Sequence, residues 1–223
     1  MALKIYATKK AEIASVSDEQ KLDFERTLPF ASKVFNISAD VKDYYLTAVP
    51  ILTSDLPNRN GVGMPLSELL KWQPSIGRQS YMGWKGMPLH YEHKSDVHED
   101  AIGIIADVAL LPVRGMNGNR IYKVVILAAV DTTKRPEITG RIARGELNTW
   151  SMGCNVDDYF CSYCGADEGK CSHIDPNKQL EFYELDGILV HRWCRGIVPF
   201  ENSAVEDNAF PSAIHKHENS IRF

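Results

Sequence analysis

One short stretch, "CSYCGADEGKCSH" at residues 161–173, constrains this chain more than any other. It has almost no apolar side chain to bury, so hydrophobic burial cannot order it. What it has instead is a ligand set with the spacing Cys161-x2-Cys164-x6-Cys171-x-His173. A C-x2-C pair brings two thiolates to one ion through a tight turn, and Gly165 follows the second of them as such a turn requires. Cys171 and His173 complete three sulfurs and one nitrogen, a tetrahedral set suited to Zn2+. With all four positions filled by protein, no place is left for a water, so the reading is a structural zinc. Cys154 is an alternative to His173 as the fourth ligand. Otherwise Cys154 and Cys194 read as small buried hydrophobes in apolar strands.

The total of five cysteines is odd, and the first residues carry lysines without a continuous apolar run. Both features point away from a disulfide scaffold and a secretory start, toward a reducing cytoplasm. At 223 residues, 44% hydrophobic and 24% charged, the chain suits one globular domain. A net charge of -4 supplies no general attraction for nucleic acid or anionic membrane. No apolar run approaches the roughly 20 residues that span a bilayer. The metal knot itself holds one Lys and no Arg among acidic residues, which argues against a zinc-finger nucleic-acid binder.

Along the chain, residues 1–42 form a leader in which Ser17 caps a helix. "DYYLTAVPILTSD" (43–55) reads as a strand and 56–64 as a turn-rich loop. "PLSELLKW" (65–72) reads as a helix with Pro65 at its first position. "AIGIIADVALL" (101–111) and "NRIYKVVILAAV" (119–130) are apolar strands joined as a hairpin, and 135–147 is a short helix from Pro136 to near Gly145. "NTWSMGCNV" (148–156) is a third strand and "GILVHRWCRGIVPF" (187–200) a fourth. The expected fold is α+β, with a β-rich barrel-like core at 43–210, a few flanking helices and a small zinc insertion at 155–178. A flexible tail at 211–223 ends the chain.

Ser151 lies in the third strand without the G-x-S-x-G elbow of an α/β-hydrolase. A serine nucleophile needs a base in reach and a group to orient that base. Candidate bases crowd into "PLHYEHKSDVHEDAIG" as His90, His93 and His98. Their spacing lacks the H-E-x-x-H pattern of a metal site.

Taken in order, "PLHYEHKSDVHEDAIGIIADVALL", the short helix ending "ARGEL", "NTWSMGC" and "VPFENSAVEDNAF" resemble the tailed-phage prohead (capsid maturation) proteases. These are serine proteases related in fold to the herpesvirus assemblins. The family pattern is a His before a G-x-(I/V) strand, a later Ser in an S-(apolar)-G strand, and a closing E-x-S-x-V-x-x-P-A segment. That last segment is kept here at Glu201, Ser203, Val205 and Ala209, with Asn208 where the pattern has Pro. The resemblance covers about residues 43–210.

It implies Ser151 as nucleophile and His93 as base, by its offset to Gly103, with His90 and His98 as alternatives. Glu201 is implied as the third member, with Asp207 and His191 as fallbacks. It also implies an assemblin-like fold and a serine endopeptidase that acts inside the assembling procapsid in the host cytoplasm. Its substrates would be scaffold and major capsid proteins and itself, and it would self-associate. The alternative is an inactive head-assembly or scaffold module with a structural zinc knot. Arg141 and Arg144, on the helix before the Ser151 strand, read as a solvated face rather than as anchors of that loop. The zinc insertion is expected to brace the chain leaving the nucleophile's strand.

Overall fold

The computed structural model describes residues 17–114, 120–174, 183–210, 213 and 220–222. Most of the expected tail, the first part of the leader, the hairpin tip at 115–119 and the end of the insertion (175–178) lie outside the described residues. The helices are α1 (Asp18–Phe35), α2 (Leu66–Leu70) and α3 (Pro136–Ala143). The strands of the first half are β1 (Tyr44–Thr53), β2 (Val62–Gly63), β3 (Trp72–Gln73), β4 (Arg78–Gln79), β5 (Pro88–Tyr91), β6 (Gly103–Arg114) and β7 (Arg120–Asp131). Those of the second half are β8 (Thr149–Asn155), β9 (Asp158–Cys161), β10 (Tyr183–Leu185), β11 (Ile188–Val190), β12 (Arg192–Arg195), β13 (Val198–Val205) and β14 (Ser220–Arg222).

The fold is mixed α+β and strand-rich. Its main sheet has seven strands in the order β14-β1-β7-β6-β5-β13-β8, and only the β5–β13 pair is parallel. The sheet curls into a half-barrel, so that β8 at one end packs back toward β1 near the other. The near-continuous apolar runs of β6 and β7 follow from burial on both faces. Successive side chains alternate between two cores. Ile105, Val108, Ile126, Ala128 and Val130 join Trp84, Leu89 and Trp150 on one side. Ile104, Ala106, Leu127 and Ala129 meet α1 on the other. Helix α1 offers Phe24, Leu28 and Ala31 at helical spacing, and it starts at a capping box in which the Ser17 side chain and the Gln20 backbone and side chain bond reciprocally. Among the described residues no helix is long and apolar enough to cross a membrane.

Three expectations change. The single strand at 187–200 is three segments: β11 belongs to a hairpin with β10, β12 to a small sheet β2-β12-β9, and β13 to the main sheet. The break before β13 falls at Gly196, whose φ of 67° suits glycine and whose Cα faces Asp157, where a Cβ would sit 2.0 Å from a carboxylate oxygen. Pro65 precedes the first turn of α2 instead of occupying it. At the C-terminus, Ser220–Arg222 is an edge strand on β1 rather than loose chain, with Ile221 opposite Leu46.

Candidate active site and metal cluster

Three neighbouring strands bring the expected catalytic residues together. β13 lies between β5 and β8, with Ser203 opposite Ser151 and Glu201 opposite Gly153. Residues paired across strands share a face, so Ser151, Glu201 and Ser203 project to the same side. On the other flank the chain leaves β5 at Tyr91 and turns through Glu92 and His93, both with φ 53°. A left-handed conformation costs an L-residue about 1–2 kcal/mol, so this turn needs outside support. β13 provides it. Glu92 N–H donates to Ala204 O at 3.0 Å, and His93 N–H donates to Ser203 Oγ at 3.2 Å. The turn sets the His93 ring over β13, with Nδ1 2.9 Å from Glu201 Oε1.

Glu201 is buried, and its second oxygen accepts from Ser203 Oγ–H at 2.6 Å. Its carboxylate occupies the space a side chain would take at position 153: a Cβ on Gly153 would lie 2.3 Å from Glu201 Oε1. The hydrogen bond that His93 donates to the Glu201 carboxylate raises the His93 pKa above its usual 6.5, with burial opposing and the charges of Glu201 and Glu92 adding to the rise. The His93 side chain is 47% exposed, so a substrate can reach it. Ser151 is half-buried, and its carbonyl accepts from Asn202 Nδ2 at 2.9 Å. Among the described residues no hydrogen bond joins Ser151 Oγ to His93, a looseness common where substrate is absent. Gly153→Ala is expected to push the Glu201 carboxylate off His93. The variant should lose about 1–3 kcal/mol of stability, and His93 should titrate closer to 6.5, as measured by NMR.

Of the alternative bases, His90 on β5 stands opposite Ser203 on the same face but is buried at 1% exposure, closed to substrate. His98 opens the short 3-10 turn His98–Asp100. Asp207 pairs with Arg59 at the surface. His191 sits between β11 and β12, with Nδ1 2.9 Å from Leu189 O and its ring edge-on to Trp193. Arg141 is more than a solvated face: it grips both carboxylate oxygens of Glu206, at 2.8 and 3.1 Å, fastening α3 to the end of β13. Arg144 pairs locally with Glu146. Sequence reasoning passed over Gly153 and Asn202. A lone glycine inside a strand does signal close approach by another group, whereas nothing local marks Asn202.

The second cluster lies on the chain between Ser151 and Glu201. One ligand atom each from Cys161, Cys164, Cys171 and His173 falls within 4.8 Å of the others, a geometry that could bind a metal ion. His173 Nδ1 is 3.3 Å from Cys164 Sγ. Sulfurs bound to one zinc at about 2.3 Å sit about 3.8 Å apart, so a small contraction would complete the tetrahedron. The turns are built alike. Cys161 Sγ accepts from the N–H groups of Cys164 and Tyr163, and Cys171 Sγ from those of Ile174 and His173. Such paired N–H donors stabilise a thiolate. Burial nonetheless pushes the Cys161 thiol up, while the Cys171 thiol, against the effect of burial, lies below its usual range.

A small apolar core of Cys161, Ile174 and Val190 underlies the cluster. β9 pairs with β12, and Arg195 to Asp167 at 3.0 Å and Arg192 to Glu168 tie the knot to β12. Cys154 is no part of the cluster. It packs against the main core with Cys194, and burial pushes both thiols up to about 12. Comparison of the chain with protein-family models, curated proteins and solved structures finds no match.

Proposed function

We propose that the chain is a serine endopeptidase of the prohead-maturation kind, with an assemblin-like fold. In this reading it works inside the assembling procapsid in the host cytoplasm, cutting scaffold and major capsid proteins and itself, and it self-associates. The observation that carries the reading is the His93 Nδ1–Glu201 Oε1 contact of 2.9 Å, one strand away from Ser151 on the same face.

Because Nδ1 faces the carboxylate, Nε2 is the nitrogen that takes the Ser151 proton. Ser151 Oγ attacks the peptide carbonyl, and the tetrahedral intermediate collapses as His93 returns that proton to the leaving amine. Water, deprotonated by His93, then hydrolyses the acyl-enzyme. Glu201 holds the tautomer and stabilises the imidazolium. Cys161, Cys164, Cys171 and His173 hold a structural Zn2+, which cross-links the segment joining β8 to β13 and takes no part in the chemistry.

The pH profile tests this reading. His93 must be neutral to accept a proton, and its pKa lies above 6.5. Cleavage should therefore fall as pH drops, with a midpoint above 6.5. Glu201→Gln removes the cause of the rise, so the midpoint should move down while the plateau rate falls about 10⁴-fold. A midpoint indifferent to Glu201→Gln would rule out the pair as base and orienter. The alternative reading is an assembly module without proteolysis. It predicts no cleavage of scaffold at any pH.

A further inference from the structure

The residue that joins the two halves of the base is Ser203. It is fully buried on β13, between Ser151 on one neighbouring strand and His90 on the other. Its hydroxyl donates to Glu201 Oε2 at 2.6 Å and accepts from the backbone N–H of His93 at 3.2 Å. One oxygen atom thus contacts both the carboxylate that orients the imidazole and the strained turn that carries it. A hydroxyl has one hydrogen to give. With that hydrogen committed to Glu201 and with no exposure, Ser203 is not a second nucleophile.

We infer that Ser203 is a positioning residue for the catalytic base, its hydroxyl locking the Glu201 carboxylate and the left-handed Glu92–His93 turn in one arrangement. The inference rests on the protease reading for its consequence in catalysis but not for its geometry. Without the hydroxyl, the Glu201 carboxylate keeps the contact with His93 and its seat over Gly153, but loses the hydrogen bond that fixes its second oxygen. The turn keeps its local bonds, Lys94 N–H to Tyr91 O at 3.2 Å and Ser95 N–H to His93 O at 2.8 Å. It is still tied through Glu92, whose N–H donates to Ala204 O and whose Oε1 accepts from Glu206 N–H at 2.6 Å, but nothing then ties the His93 amide to β13. Both changes move the imidazole relative to Ser151, and a misplacement of about 1 Å costs a reaction about 10²-fold.

The test compares wild type, Ser203→Ala and Ser203→Cys, the last keeping volume while offering a poor donor and acceptor. Three readouts are taken: the NMR titration of His93, the hydrogen exchange of the His93 amide, and scaffold cleavage against pH. In both variants His93 should titrate closer to 6.5, its amide should lose protection, and kcat should fall about 10–100-fold with KM within about twofold. An unchanged His93 titration in a folded variant overturns the inference. So does an unprotected His93 amide in the wild type, which decides the matter even if neither variant folds. If the titration and exchange shift as expected but no form cleaves scaffold, the positioning role stands and the protease reading falls.

Discussion

Ser151→Ala should leave the purified chain whole for hours under conditions in which the wild type shortens at discrete positions. Intact-mass spectra of the two, taken side by side, read this directly. Ser151 stands opposite Ser203 on β8, on the face that carries Glu201 and within the sheet that positions His93. Where nucleophile, base and orienting carboxylate act as a unit, removing the nucleophile abolishes nearly all the rate they supply together, about 10⁴-fold or more. The fold should be untouched, because the Ser151 carbonyl keeps its bond from Asn202. Shortening of both forms at the same positions would take the nucleophile's role from Ser151.

Loss of the metal should have the second large effect. The purified protein is expected to carry one zinc per chain by elemental analysis. Cys164→Ala, or a strong chelator acting on the exposed Cys164 corner, should remove it. The segment from Cys161 to His173 has a small apolar core, so the ion supplies most of its order. With free zinc at 1,000 times Kd, binding stabilises the folded state by about 4 kcal/mol, which for a chain of this size is on the order of 10 °C in Tm. Hydrogen exchange should quicken first in β9 and β12, which tie the cluster to the sheets. Cleavage should fail with them, since the chain enters the cluster from β8 and leaves it for β13. Freely reactive Cys164 and Cys171 thiols in the native protein would exclude a bound zinc.

Much of this was legible locally. The Cys/His spacing marks its own cluster, because two turns of fixed geometry hold the four ligands whatever the rest of the chain does. The strands at 44–53, 103–114 and 120–131 follow from β-branched and apolar runs, and the helix from residue 18 from its capping box. His93, Ser151 and Glu201 are implied by the resemblance alone, and their placement on neighbouring strands is not deducible from spacing.

That placement is a product of strand order. β5, β13 and β8 are neighbours although long stretches of sequence separate them, and β5–β13 is the sheet's one parallel pair. The pattern at 187–200 reads as a single strand and carries no sign of where it breaks. Val190, Trp193 and Phe200 are all apolar, yet they belong to three different sheets. Likewise, the contacts of Ser203 and Gly153 depend on register: a slip of one residue would turn both to the opposite face. By itself, then, the sequence determined the local pieces, whose energies come from near neighbours in the chain: caps, turns, apolar periodicity and the metal-ligand knot. Only the tertiary structure decided which strands lie side by side and in what register. Those contacts join distant residues, and their free energy is gained only once the whole sheet has formed.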